Sequence, residues 1–202
     1  MAKKARLKVP PRGLALAARN ILRFLAAHGV PACLIGGLAV QRWGEPRVTQ
    51  DVDLTLLAPF GKEAQPIDLL LGRYRARGAR ARDFALKYRV LKLRAPDGVP
   101  IDVSLGALPF EIEVLERASP WRLSSKIEVV VCSAEDLIVY KLVAGRSRDL
   151  LDVEGVVRVR WRNLDLARIR SRAREFAELM ERGDLLDPFE DALRKSRQAT
   201  SR

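Results

Sequence analysis

Between Leu34 and Leu57 the chain reads LIGGLAVQRWGEPRVTQDVDLTLL, and few folds accommodate that stretch. The apolar run Ala32 to Ile35 has the length of a short buried strand, and Gly36-Gly37 predicts a tight turn into a helix over Leu38 to Trp43. Gly44 to Pro46 ends that helix. Asp51 to Leu57 then alternates polar and apolar residues, so a strand there sends the carboxylates of Asp51 and Asp53 to the same face. Strand, turn, helix and strand in such close succession predict an α/β domain (α+β in its detail) with a mixed central sheet.

The rest of the chain supplies matching elements. Leu14, Ala18, Ile21, Leu22 and Leu25 recur at helical spacing over Leu14 to Ala27, and Gly29-Val30-Pro31 stops that helix. A helix is expected over Ile67 to Tyr74 and a strand over Tyr88 to Leu93. Asp97-Gly98 between two β-like runs is a hairpin signal, with Val99 to Leu105 as the return strand carrying Asp102. Pro109 to Arg117 predicts a short helix with proline in its first turn. A strand over Ile127 to Cys132 precedes Ser133-Ala-Glu-Asp136, a capping pattern that opens a helix to about Ala144. Leu150 to Val157, and a stripe from Leu166 to Met180, make the tail helical. The expected organisation is a core over 1–132 and a helical region over 133–202 packed on it, with the closing SRQATSR unstructured.

The chain has 202 residues, 48% of them hydrophobic and 31% charged, a balance that fits a soluble globular protein able to bury a core. The uncharged run Phe24 to Gln41 is long enough to cross a membrane, but glycines, Pro31 and His28 divide it into a helix end and a strand. The opening MAKKARLKVPPRG lacks the apolar segment of a secretion signal, so the expected address is the cytoplasm. Cys33 and Cys132 sit in apolar contexts without metal-binding spacing and read as reduced core residues. His28, near a helix C-terminus, reads as a partner for terminal carbonyls. Trp43, Trp121 and Trp161 read as packing residues.

Thirty-seven basic side chains against 25 acidic ones give a net charge of +12, which favours polyanionic partners. No acid occurs before Glu45, and GRYRARGARARDFALKYRVLKLR, Gly72 to Arg94, contains only Asp83. Such a run can face phosphates or simply be a solvated surface.

A Gly-Gly turn at a helix start lets backbone amides approach anionic oxygens. Two carboxylates side by side on a strand repel unless a cation neutralises them. Asp102, within the apolar VPIDVSLG, needs a partner if buried. Together the three acids suit phosphoryl or nucleotidyl transfer with two metal ions.

These residues resemble the DNA polymerase β-type nucleotidyltransferase superfamily, whose pattern is a strand, a GG or GS turn, a helix, a DxD strand and a third Asp on a later strand. Gly36 through Arg47, Thr49, Asp51 and Asp53, with EDLIVYKLVAGRSRDLLDVEGV further on, is similar more narrowly to its abortive-infection, type IV toxin-like branch. The resemblance covers Ala17 to about Val157. It implies a nucleotidyltransferase fold in which Asp51, Asp53 and Asp102 are catalytic and hold two Mg²⁺ ions, with Mn²⁺ as the alternative. It implies that Gly36, Gly37, Arg47 and Lys141 bind the nucleoside triphosphate, and that Asp102 draws the proton from the attacking hydroxyl. Gly37 replaces the serine of many members. The roles of Asp149 and Asp152 stay open, since Arg146 and Arg148 lie beside them.

The expected reaction transfers a nucleoside monophosphate from an NTP to a hydroxyl with release of pyrophosphate. The acceptor is RNA, with the tRNA 3′ end favoured, or a protein, and the expected partners include a cognate antitoxin but no membrane. Small cationic antibiotics fit a basic surface poorly. The alternative is an inactive nucleotide- or nucleic-acid-binding module, such as a toxin–antitoxin component.

Overall fold

The computed structural model describes residues 11–200; most of the basic opening segment lies outside that range. Two compact units emerge, one holding the chain up to Leu38 together with Val48–Cys132, the other Ala39–Arg47 together with the chain from Ser133. Residues 39–47, inside the span expected for the core, thus group with the helical unit.

The first unit is an α/β layer built on a mixed sheet. Its strands are β1 (Ala32–Leu34), β2 (Val52–Leu57), β3 (Arg75–Ala76), β4 (Val90–Arg94), β5 (Pro100–Gly106), β6 (Ser119–Ser124) and β7 (Ile127–Val131), and these seven are ordered β3-β4-β5-β2-β1-β7-β6. β2 runs parallel to β5 and β1 parallel to β7, and the remaining pairs are antiparallel. Alternation separates the faces: Val52, Leu54 and Leu56 of β2, Ile101 and Val103 of β5 and Leu91 and Leu93 of β4 are shut off from solvent. Asp53 and Asp102 point the other way and stay half-buried. Helices α1 (Arg12–Ala27) and α3 (Ala64–Leu71) contribute fully buried Ala18, Ile21, Leu25, Ile67 and Leu70 to the core. The expected core thiols Cys33 and Cys132 are buried, and His28 Nδ1 lies 2.8 Å from the Phe24 carbonyl as its position at the helix end suggested.

Local chemistry accounts for the boundaries. Asp97-Gly98 turns the chain between β4 and β5, with Gly98 at φ +88°. In α5 (Pro109–Arg117) the Glu111 carboxylate accepts hydrogen bonds from the Ala107 and Leu108 amides at 2.7 and 3.0 Å. The first unit also holds two strands and a helix that the sequence pattern conceals. β3 is only two residues long, and α4 (Ala81–Tyr88) buries nothing but Ala85, so neither leaves a periodic apolar signal. β6 contains Pro120, which ordinarily argues against a strand; it is tolerated because β6 is the outer strand. The helix expected through Tyr74 stops at Leu71, ahead of Gly72.

The second unit is helical. It takes most of α2 (Gly36–Trp43), then α6 (Ala134–Ala144), α7 (Ser147–Arg160), a short 3-10 turn (Trp161–Asn163), α8 (Leu166–Leu179) and α9 (Asp187–Thr200). The Ser133 hydroxyl accepts the Asp136 amide at 3.1 Å, the expected cap of α6. Gly44 packs on Val156, where an added β-carbon would crowd the neighbouring chain, and Gly155 lies opposite Glu45 at a distance that leaves room for one. Trp43 is half-buried beneath the guanidinium groups of Arg42 and Arg160, at 4.2 and 5.4 Å from the ring centroid. α9 corrects the expectation of an unstructured end: residues 196–200 are its last turn, and the two residues after it lie outside the described range. Phe189, Ala192 and Leu193 form its buried stripe, hidden in sequence by the charges around them. Phe189→Ala should lower unfolding free energy by about 3–5 kcal/mol, because a fully buried ring leaves a cavity; urea titration measures it.

Candidate functional site

The Gly-Gly turn and the Asp-bearing strand are pressed together. Gly36 adopts φ +61°, a left-handed conformation, and a β-carbon there would collide with the Asp53 carboxylate. At Gly37 a β-carbon would collide with the Thr49 hydroxyl. Only backbone fits, and the contact that results is polar: the Gly37 amide donates to Asp53 Oδ2 at 3.2 Å. The Thr49 hydroxyl in turn donates to Asp51 Oδ1 at 2.8 Å. Gly36, Gly37, Thr49, Asp51 and Asp53 thereby form one connected cluster. Thr49 and Gly37 are its buried members, and the role of Thr49 is legible only from the fold.

The third carboxylate joins through register. Asp53 and Asp102 are direct partners on the parallel strands β2 and β5, so both side chains leave the same face of the sheet. On the far side of Asp102 its antiparallel partner is Lys92 of β4. Beyond Lys92 the pairing continues, since the Arg77 amide donates to the Lys92 carbonyl at 2.9 Å. A row of four charges therefore crosses the sheet, with Arg77 and Lys92 at one end and Asp102 and Asp53 at the other. The Arg77 guanidinium reaches over to donate to the Asp102 carboxylate. The partner that Asp102 requires is thus an arginine from the basic stretch, and the side chain is 33% exposed rather than buried, because β5 turns it away from the apolar face.

Arg47 and Lys141 occupy the second unit, in a separate ionic cluster. Lys141 donates to Asp149 at 2.6 Å and lies 2.8 Å from Asp152. Arg47 donates through two nitrogens to Asp152, at 2.6 and 2.8 Å. The side chain of Asp152 is only 4% exposed and that of Lys141 10%. Burial alone would raise the Asp152 pKa; hydrogen bonds from Arg47 and Lys141, with their positive charges, outweigh it and hold the carboxyl below its ordinary value. Asp149 and Asp152 are therefore ion-pair partners of the two cations. Arg146 adds only a 3.5 Å contact from an exposed side chain to Asp149.

Residues 23–200 match the family model described as the nucleotidyl transferase AbiEii toxin of type IV toxin–antitoxin systems. The chain belongs to the AbiEii family. Among solved structures it is similar to an antigenic nucleotidyltransferase-like protein from Paracoccidioides brasiliensis, at 14% identity and TM-score 0.53, over 90% of this chain and 94% of that one. A second, the antibiotic-resistance factor ANT(2'')-Ia, has 14% identity and TM-score 0.45 over 93% and 92% of the two chains. No curated protein matches the sequence. At such identity the structural likeness concerns the fold, and the nucleotidyltransferase fold is the one expected from the DxD pattern.

In this AbiEii chain the chemistry at the sheet suits a hard divalent cation, since the acids offer only oxygen donors and Asp53 and Asp102 stand in register on one face. Among the described residues no three acidic, His or Cys side chains stand close enough to form a metal group. Asp51, Asp53 and Asp102 instead each accept a hydrogen bond from Thr49, Gly37 and Arg77 respectively.

Two outcomes follow from these contacts. Gly36→Ala forces a β-carbon onto Asp53 in a left-handed backbone, costing about 1–2 kcal/mol from the backbone alone; thermal unfolding should register the loss. In the second unit the folded Asp152 pKa lies below the unfolded 3.8, so its contribution to stability is present above that value and lost as pH falls through the folded one. Urea midpoints measured downward from pH 7 should fall in acid, and Asp152→Asn should show a shallower fall from a lower starting midpoint. Glu63, Asp68 and Glu190, also lowered, act in the same direction in both proteins.

Proposed function

We propose that this chain is an active, metal-dependent nucleotidyltransferase that moves a nucleoside monophosphate from an NTP to a hydroxyl, RNA being the favoured acceptor class and the tRNA 3′ end the favoured position. The reading is carried by one observation: Asp53 is held against the Gly36-Gly37 turn and stands in register with Asp102, so two acids and the backbone of a helix-opening turn come together at one face of the sheet. The reaction belongs in the cytoplasm, where NTPs and tRNA are found, and family membership supports a cognate antitoxin as partner.

Asp51, Asp53 and Asp102 would hold Mg²⁺, which when bound supplies positive charge to the phosphate oxygens. The amides at the start of α2 face anionic oxygens along the favourable end of the helix. The Gly37 amide is already engaged by Asp53, so that carboxylate and a phosphate compete for it. The acceptor hydroxyl attacks the α-phosphorus, the bond to the β-phosphate breaks, and pyrophosphate leaves. Asp102 takes the hydroxyl proton once Arg77 releases it. Arg47 and Lys141 are the proposed phosphate cations, and each would exchange an aspartate for a phosphate to play that part.

The rival reading, a nucleotide- or nucleic-acid-binding module without turnover, draws on the same Arg77–Asp102 pair, which occupies the proposed general base. Incubation with Mg²⁺, each α-labelled NTP and total tRNA separates the two. Label should appear in RNA with the intact chain, and the double variant Asp51→Asn, Asp53→Asn should lose at least about a hundredfold in rate. Label on protein would redirect the acceptor to proteins. Binding of NTP or RNA that survives the double variant, with no transfer by either form, would leave the binding module standing.

A further inference from the structure

The basic end of the charge row continues into a surface that neither metal nor triphosphate chemistry uses. α4 places Phe84 and Tyr88 four residues apart on one helix face, 41% and 55% exposed. Their ring centroids are 4.7 Å apart with planes inclined at 44°. Lys92 Nζ stands 5.7 Å from the Phe84 centroid and Lys87 Nζ 5.3 Å from that of Tyr88. Beside them lies a cavity of about 290 Å³ lined by Arg77, Gly78, Arg80, Ala81, Phe84 and Lys92. Among the described residues no carboxylate pairs with Arg80, Lys87 or Lys92, and the buried Arg77 Nε has no hydrogen-bond acceptor.

Exposed aromatic rings are costly to leave in water, and so are cations gathered without counter-charges. One class of ligand answers both: a single polynucleotide strand, whose bases stack on rings while its phosphates meet lysine and arginine. A duplex keeps its bases inside and cannot use the rings. An acidic peptide would meet the cations but has no flat faces to offer. We propose that the α4–β4 surface is a platform for single-stranded RNA, with bases stacked on Phe84 and Tyr88 and phosphates held by Arg80, Lys87 and Lys92. Register supplies the direction. Lys92 is the strand partner of Asp102, so a strand lying on the platform ends beside the carboxylates. That ending gives meaning to the platform only through the transferase reading, but the binding itself does not depend on it.

The test measures binding with no NTP and with EDTA present, so that catalysis and metal play no part. A fluorescein-labelled unstructured RNA of about 12 nucleotides is titrated with the full chain and followed by anisotropy. Phe84→Ala with Tyr88→Ala should weaken binding at least about tenfold, and Lys87→Gln with Lys92→Gln should reduce the slope of log K against log salt by about 1.4. Both pairs are exposed, and unchanged melting temperatures would show that the fold is retained. A blunt duplex of the same sequence should bind less tightly and ignore the aromatic substitution. The proposal is overturned if the aromatic pair leaves RNA affinity unchanged, if duplex and single strand bind alike, or if the substitution instead abolishes self-association seen by light scattering. A separate titration of the wild type with NTP and Mg²⁺ tells failure of the platform from failure of the transferase reading.

Discussion

The contact between a glycine and a carboxylate holds the first unit's chemistry in place. Asp53 occupies the space where a side chain at Gly36 would project, and Thr49 occupies the corresponding space at Gly37. The turn can therefore lie directly on the strand, and the amide it presents meets Asp53 rather than solvent. Asp53 then positions Asp102 through the parallel ladder, and Asp102 positions Arg77. Each step is short and local, yet together they join residues 36, 53, 77 and 102, which lie far apart along the chain. Hydrogen bonds to charged groups are among the stronger polar contacts in proteins, which suits them to defining such a cluster.

Much of this was legible in the sequence because it depends on rules with short range. Alternation in Asp51 to Leu57, the Gly36-Gly37 turn, Asp97-Gly98 and the cap at Ser133 each require only a few neighbouring residues. What escaped depends on tertiary company. β3 is defined by its pairing with β4 rather than by a pattern of its own, and α4 has a single buried residue. Pro120 is acceptable because β6 is the edge strand among the described residues. For Asp102 the neighbouring sequence is apolar, but those apolar side chains belong to the opposite face, and its partner comes from a run of arginines with no mark to single out Arg77. The basic stretch between Gly72 and Arg94 thus divides by position: Arg77 is spent on a carboxylate, Arg82 on Asp68, and Arg80, Lys87 and Lys92 remain outward.

The second unit shows a different use of charge. Two acids and two cations, all polar and mostly buried, replace what could have been apolar packing between α6 and α7. Such a cluster is costly to assemble and costlier to leave incomplete, since removing one member strands the others away from water. Geometry is what it supplies: Lys141 bridges Asp149 and Asp152 one helical turn apart, which fixes the rotation of α7 against α6, and the paired nitrogens of Arg47 fix where the chain lies as it leaves α2.

The missing β-carbons at positions 36 and 37 also bear on how such a chain can change by descent. Most positions in a fold accept several residue types, and drift among them leaves the working parts intact. Here one additional methyl group reaches the Asp53 carboxylate from position 36 or the Thr49 hydroxyl from position 37, so a single codon change can push the cluster apart while the helices of the other unit keep their packing. Variation at these two positions is therefore confined to glycine wherever the cluster is kept.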